Sequence, residues 1–136
     1  MIDFNNLPCK YWSDRTKISY LQRRIIVYSI MYYELNESCI SDQQYDELSR
    51  QLMDLQSNCD FEEFRNSTYY YVMYNFDGST GFDIPSRLTD YDYKYLLNIA
   101  NHVYQIYLKE TGRNKEEKKR KGTKNVRTKK SRKQSL

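Results

Sequence analysis

No Cys-x-x-Cys pair occurs in the chain, and its three cysteines, Cys9, Cys39 and Cys59, are widely spaced and odd in number. That argues against a disulfide framework and a zinc site, and it suits a reducing compartment. No apolar run is long enough to span a bilayer and no signal peptide is recognisable. A soluble, cytoplasmic protein without a membrane partner is therefore expected. The single histidine, His102, has no Cys or carboxylate at ligand spacing and no nucleophile nearby. It is expected at the surface or at a cap, and no metal set, nucleophile or catalytic base is identified.

Two things are abundant: tyrosine, at 15 of 136 residues, and positive charge at one end. Residues 109–136 hold thirteen Lys and Arg against three Glu, a net of +10. The preceding 108 hold nine basic against fifteen acidic residues, a net of −6, so the whole-chain +4 averages two unlike parts. Beyond Gly112 only Val126 and Leu136 are apolar. Such a segment buries too little to offset the entropy of ordering, and residues 113–136 are expected to form a disordered basic tail. The cations expected to make its contacts are Lys115, Lys118, Lys119, Arg120, Lys121, Lys124, Arg127, Lys129, Lys130, Arg132 and Lys133. Charge this dense attracts a polyanion without reading its sequence, so nucleic acid is the expected partner. RNA, an acidic protein surface, a purely solubilising role and a look-alike of a nuclear-localisation signal are the alternatives.

Residues 1–112 read as one small all-α domain. Leu7-Pro8 keeps the lead irregular, and Tyr11-Trp12 is expected to clasp the body. Ser13 or Asp14 can cap a first helix running toward Leu35. Its apolar positions Ile18, Leu21, Ile25, Tyr28, Tyr32 and Leu35 recur at helical spacing, and Ile26, Ile30 and Met31 widen the buried face. Lys17, Arg23 and Arg24 are expected to face solvent. Asp60 with Glu63 suggests a cap for a short helix over residues 61–65. The run TYYYVMYNF (68–76) has strand composition but no partner strand, so a short buried helix or an extended clasp is preferred. Residues 77–81 form a glycine-containing loop. It lacks the strand and Lys of a phosphate loop and reads as a plain turn. Thr89 with Asp92 caps a last helix, about 90–109, with Leu96, Ile99, Ala100, Val103, Ile106 and Tyr107 inward. Most tyrosines are expected in the core, with Tyr32, Tyr33 and Tyr45 the exceptions.

The best-marked feature lies at residues 32–55. Tyr32 and Tyr33 close the first helix, a short polar turn follows, and Ser41 opens a second helix with Gln44 completing a capping box. Asp42 adds negative charge where the helix dipole favours it. Tyr45, Leu48, Leu52 and Leu55 form the inward stripe. The pattern is an antiparallel helical hairpin over about 13–56, with Asp42, Tyr45 and Asp46 on one face.

The Tyr pair, the polar turn and the run Ile40-Ser41-Asp42-Gln43-Gln44-Tyr45-Asp46-Glu47-Leu48 resemble the N-terminal Ia domain of NAD-dependent DNA ligases, over roughly residues 21–55. In that family this helix pair docks the nicotinamide mononucleotide half of NAD, so nicotinamide mononucleotide or NAD is the implied ligand. The resemblance implies that Tyr32 and Tyr33 stack on or flank the nicotinamide, Tyr33 standing where relatives carry His or Tyr. It further implies that Asp42, Tyr45 and Asp46 hold the ribose, amide or phosphate side. The ligase's own engine is a Lys-x-Asp-Gly nucleophile in a nucleotidyltransferase domain, and no such domain fits here. Asn75-Phe76-Asp77-Gly78 imitates the motif with Asn in place of Lys, and an amide cannot form the phosphoramidate. The chain is therefore expected to be a non-enzymatic, ligase-like protein associated with DNA through its basic tail. The alternatives are an interaction protein, such as a phage-encoded factor that binds or inhibits a host replication, repair or defence protein in the host cytoplasm, and a nicotinamide mononucleotide-binding module.

Overall fold

The computed structural model describes residues 2–5, 9–79 and 81–112. Its helices are α1 (Asp14–Tyr33), α2 (Asp42–Asn58), α3 (Phe61–Arg65), α4 (Tyr70–Met73), α5 (Ile84–Arg87) and α6 (Asp90–Thr111). No strand occurs among the described residues, in keeping with the all-α class expected from the sequence. The expected disordered tail, with its cations from Lys115 to Lys133, lies outside the described residues, as does Leu7-Pro8.

Helix α1 is the centre. The Ser13 hydroxyl caps it by accepting the Thr16 N–H at 3.2 Å. Ile18, Leu21, Ile25, Ile26, Ile30 and Met31 have no exposed surface, and Val27 is buried beside them. Three successive buried residues, 25 to 27, span far more of the circumference than a surface helix hides. The covering elements are α2, α3, α5 and α6, all packed on α1. The expected stripe through Tyr28, Tyr32 and Leu35 fails at its far end. The helix stops at Tyr33, Tyr32 is 51% exposed, and Leu35 is half-buried in the turn. The stop is a left-handed residue, Asn36 at φ 55°, with the Glu37 N–H reaching back to the Met31 carbonyl at 3.0 Å.

Arg23 is exposed as expected, but Lys17 and Arg24 are not simply solvated. The Lys17 ammonium sits 5.9 Å from the Phe4 ring centroid. Arg24 lies over the rings of Tyr20 and Tyr28, where cation–π attraction and two hydroxyl acceptors outweigh full hydration. The expected aromatic clasp is half right. Trp12 packs on Phe4 and Tyr20, whereas Tyr11 is 80% exposed.

Helix α2 opens with the capping box: the Gln44 N–H donates to Ser41 Oγ at 3.1 Å, and the Ser41 N–H to Gln44 Oε1 at 2.8 Å. Leu48 and Leu52 are buried, while Tyr45 and Leu55 are half-buried. Ser29 bonds Tyr45, and Gln22, two turns back along α1, bonds Gln56, three turns on along α2. The two helices therefore run antiparallel. Gln22 is fully buried and serves as a polar hub. Its amide donates to Gln56 Oε1 at 3.3 Å and Ser67 Oγ at 2.9 Å, and its oxygen accepts the Tyr69 N–H at 3.0 Å.

Helix α3 has the expected bounds but not the expected cap. Asp60 makes no side-chain cap bond, and Glu63 instead accepts the Arg15 N–H at 3.0 Å, satisfying a free donor at the start of α1. Residues 68–76 contain the short helix α4 with Val72 and Met73 buried, the preferred reading of that run. Helix α5 has no counterpart in the sequence reading. Pro85 presets its first turn, and Ile84 and Pro85 are buried.

Helix α6 starts at the expected cap, with Thr89 Oγ1 accepting the Asp92 N–H at 3.1 Å. Its buried line is Leu96, Ala100, Tyr104 and Leu108, not the wider stripe expected. Ile106 is 41% exposed, and Ile99, Val103 and Tyr107 are half-buried. A helix resting on one partner hides a single four-spaced ridge. The tyrosines also depart from expectation: only Tyr69 and Tyr104 are buried, six are half-buried and seven are exposed. Their hydroxyls need partners, so they sit where polar groups can be reached. Tyr93 donates to Glu34 and Tyr104 to Glu37, each at 2.8 Å, which ties α6 to the turn after α1.

Two measurements check this packing. Gln22→Met leaves the Tyr69 N–H unpaired and Ser67 and Gln56 without their donor, so urea unfolding should show a loss of about 1–3 kcal/mol. A loss below roughly 0.5 kcal/mol, the size of an ordinary surface change, would contradict the hub. Burial and the bond to Glu34 raise the Tyr93 phenol from 10.0 to about 12. A raised pKa means that the folded state holds the proton more tightly, so its stabilisation is complete below pH 10 and is lost as pH climbs toward 12. Tyr93→Phe should flatten the alkaline fall in stability; an unchanged slope would refute the coupling.

Candidate functional site

The last turns of α1, the turn over 34–41 and the first turns of α2 enclose a cavity of about 380 Å³. The five residues singled out for the ligand, Tyr32, Tyr33, Asp42, Tyr45 and Asp46, all line it. Local geometry brings them together. Tyr32 and Tyr33 follow one turn after Tyr28 and Ser29, which also line the cavity, and positions 42, 45 and 46 share one face of α2.

The aromatic wall has defined geometry. Tyr32 and Tyr33 meet edge to face at 4.8 Å between centroids and 89° between planes. Tyr33 also meets Phe82 at 5.6 Å. At the floor, the Ser29 hydroxyl donates to the Ile25 carbonyl at 2.8 Å, which leaves its oxygen to accept from the Tyr45 hydroxyl at 2.9 Å. This bond joins the two helices directly beneath the cavity.

A loop distant in sequence closes the other side. Ser79 lines the cavity, and Gly81 is buried against the Ser29–Tyr45 pair. A Cβ on Gly81 would stand 2.3 Å from Ser29 Oγ and 2.5 Å from the Tyr45 hydroxyl, so the approach requires glycine. The loop itself is the plain turn expected: the Asp77 carboxylate accepts the N–H of Ser79 at 3.0 Å and its hydroxyl at 2.6 Å. Those bonds hold the Asp77 carboxyl below its ordinary range. Thr80 of that loop lies outside the described residues. Asn75, at the head of the Lys-x-Asp-Gly imitation, has a structural role, accepting from Arg87 at 3.1 Å.

Burial shifts three titrating groups on the lining. Burial raises the Tyr45 phenol, with Tyr33 and Asp46 adding to it and the Ser29 bond opposing. Burial likewise raises Tyr28, against the pull of Arg24, whose guanidinium donates to its hydroxyl at 2.7 Å. The Cys39 thiol is pushed up by burial with only partial relief from Arg24, so it is not an activated thiolate. His102 is exposed on α6 and does not line the cavity. Among the described residues no cluster of His, Cys, Asp or Glu could hold a metal ion, and no helix is long and apolar enough to cross a membrane. What the lining offers is ring faces and edges, hydroxyls and two carboxylates.

Residues 12–60 match the family model described as DNA ligase-like, N-terminal NAD+-binding domain. The match spans α1, the turn and α2, wider than the 21–55 read from the sequence, and includes all five of those residues. It covers a minority of the chain. The ligase-like segment supplies the walls and floor of the cavity, while Ser79, Gly81 and Phe82 come from outside it. No curated protein and no solved structure matches the chain.

Sequence reasoning missed Ser29 and Gly81. Ser29 carried a signal, since it lies one helical turn before Tyr33. Gly81 carried none, because its partner Tyr45 is 36 positions away and only the folded chain joins them. The pair can be tested: Gly81→Ala must displace the Ser29 or Tyr45 hydroxyl, and unfolding by urea should show a loss of about 1–3 kcal/mol. A neutral or stabilising substitution would mean that the loop does not rest on the helix pair.

Proposed function

We propose that this chain is a non-catalytic binding module whose α1–α2 cavity takes the nicotinamide mononucleotide half of NAD. One observation carries the reading: Tyr32, Tyr33, Asp42, Tyr45 and Asp46 face a single cavity inside the segment that matches an NAD+-binding domain. The tyrosine rings offer stacking surfaces for a flat heterocycle. The carboxylates of Asp42 and Asp46 offer acceptors for ribose hydroxyls or an amide N–H, bonds stronger than those between neutral groups. Burial raises the Cys39 thiol, and no His lines the cavity among the described residues, so neither an activated thiolate nor an imidazole base is supplied there. Titration with nicotinamide mononucleotide should change the near-ultraviolet dichroism of the tyrosines. Asp46→Ala should weaken the interaction by roughly tenfold, the loss of one charged hydrogen bond. A silent wild type, or an identical response after Asp46→Ala, would remove the ligand from the account.

A second reading concerns the other end of the chain. The net +10 of residues 109–136 favours association with DNA through phosphate contacts. Binding should weaken steeply with salt, and removal of residues 113–136 should abolish most of it. Equal affinity in the truncated chain would place the contact on the body instead.

A further inference from the structure

Helix α6 shows solvent a regular face. Opposite its buried line, Tyr91, Tyr95, Asn98, His102, Gln105 and Lys109 follow one another at alternating spacings of four and three residues, and all six are exposed. That spacing keeps them in one straight stripe, about 27 Å long at the rise of an α-helix.

The stripe is an exception within an acidic body. Residues 1–108 carry a net −6, yet positions 93–109 contain no Asp or Glu and include Lys94 and Lys109. The acids of α6 are Asp90, Asp92 and Glu110. Each lies about 100° around the helix axis from the middle of the stripe. Asp92 is turned toward α4, where it accepts the Tyr71 hydroxyl. Arg23, exposed on α1, and Tyr95 both act electrostatically on the Tyr69 phenol, so a further cation stands near the aromatic end. At its other end the stripe passes through Lys109 into the segment 109–136, with its net +10.

The aromatic end has the geometry of a stacking platform. The rings of Tyr91 and Tyr95 lie parallel, with 4° between planes and 6.5 Å between centroids, and are 77% and 46% exposed. Flat faces of this kind take any base, since every base has a π-face. The amides of Asn98 and Gln105 and the imidazole of His102 are groups that bond phosphates, sugars or base edges. A second helix would fit this face poorly, because a helix seam at this spacing requires apolar positions where the stripe has Asn, His, Gln and Lys. A duplex fits it poorly too, since its base faces are already stacked on one another.

We infer that the outer face of α6 is a track for single-stranded nucleic acid, with bases stacked on Tyr91 and Tyr95 and the sugar–phosphate backbone led past His102 toward Lys109 and the cations beyond it. The inference rests on the reading of residues 109–136 as a nucleic-acid contact. It extends that reading by giving the body a share in binding, one that distinguishes a single strand from a duplex. The cationic segment supplies attraction to either form, and the tyrosines supply the preference.

The test uses the full chain, Tyr91→Ala/Tyr95→Ala and Tyr91→Phe/Tyr95→Phe. Each is titrated with labelled oligothymidylate of about fifteen nucleotides, with the matching oligouridylate, and with the duplex of oligothymidylate and oligoadenylate. Both positions are exposed, so far-ultraviolet dichroism should stay that of the folded chain. The alanine pair should weaken binding of the preferred single strand by roughly fivefold or more, the scale of one lost base stack, and leave the duplex within about twofold. Preference between the two single strands tells DNA from RNA. The phenylalanine pair keeps both ring faces and should bind as the wild type does. The salt dependence of single-strand binding should be alike in all three chains, because no phosphate contact is removed. An alanine pair that loses nothing on either single strand overturns the inference and leaves the cationic contact standing. So do equal losses on strand and duplex, or a phenylalanine pair as weak as the alanine pair. Failure of the wild type to bind any of the probes overturns both readings.

Discussion

The isoleucine-rich middle of α1 has to be covered from several directions, and the other elements are arranged to do so. Each fully buried Ile, Leu or Met contributes about 1.5–3 kcal/mol. Six of them on one helix are comparable in sum with the whole net stability of a small domain. Losing any one covering element would therefore expose more than the fold can tolerate. That constraint explains why α2, α3, α5 and α6 all pack on α1, and why Gln22 is buried only because every polar atom of its amide has a partner.

The same constraint locates the site. Cover ends before α1 does, so Tyr32 and Tyr33 emerge from the core while still held at a fixed angle by the helix below them. The left-handed Asn36 reverses the chain, and the capping box at Ser41 sets where α2 begins. Asp42, Tyr45 and Asp46 are thereby delivered opposite the tyrosine pair. The Ser29–Tyr45 bond fixes the separation of the walls, and Gly81 seals it from the side. Rigidity comes from a scaffold far more apolar than the cavity that it supports. Tyr93 and Tyr104 reinforce the turn from α6, through neutral phenols bonded to Glu34 and Glu37.

Much of this could be read before folding, because the relevant signals are local. Caps at Ser13, Ser41 and Thr89 depend on neighbours two or three residues away, and each helix start follows from them. The clustering of 32, 33, 42, 45 and 46 needs only one turn between two helices. What escaped was non-local or rotational. The tyrosines at 91 and 95 look apolar on a hydropathy scale, yet their hydroxyls favour the surface. The buried face of α6 depends on which ridge meets α1, a quantity that periodicity leaves free by some tens of degrees. Glu63 serves α1 and not its own helix because Arg15 happens to present a free N–H there. The closing loop at Ser79 and Gly81 belongs to the same class, since nothing near residue 81 announces Tyr45.

Residues 1–108 and 109–136 carry net charges of opposite sign, −6 and +10, and the cavity belongs to the first of these parts. The most direct measurement is a set of intermolecular nuclear Overhauser contacts between bound oxidised nicotinamide ring protons and assigned tyrosine ring protons. The account predicts contacts to Tyr32, Tyr33 and Tyr45 together, from one ligand in one orientation. Contacts confined to surface tyrosines such as Tyr74 or Tyr91, with none to that trio, would contradict it.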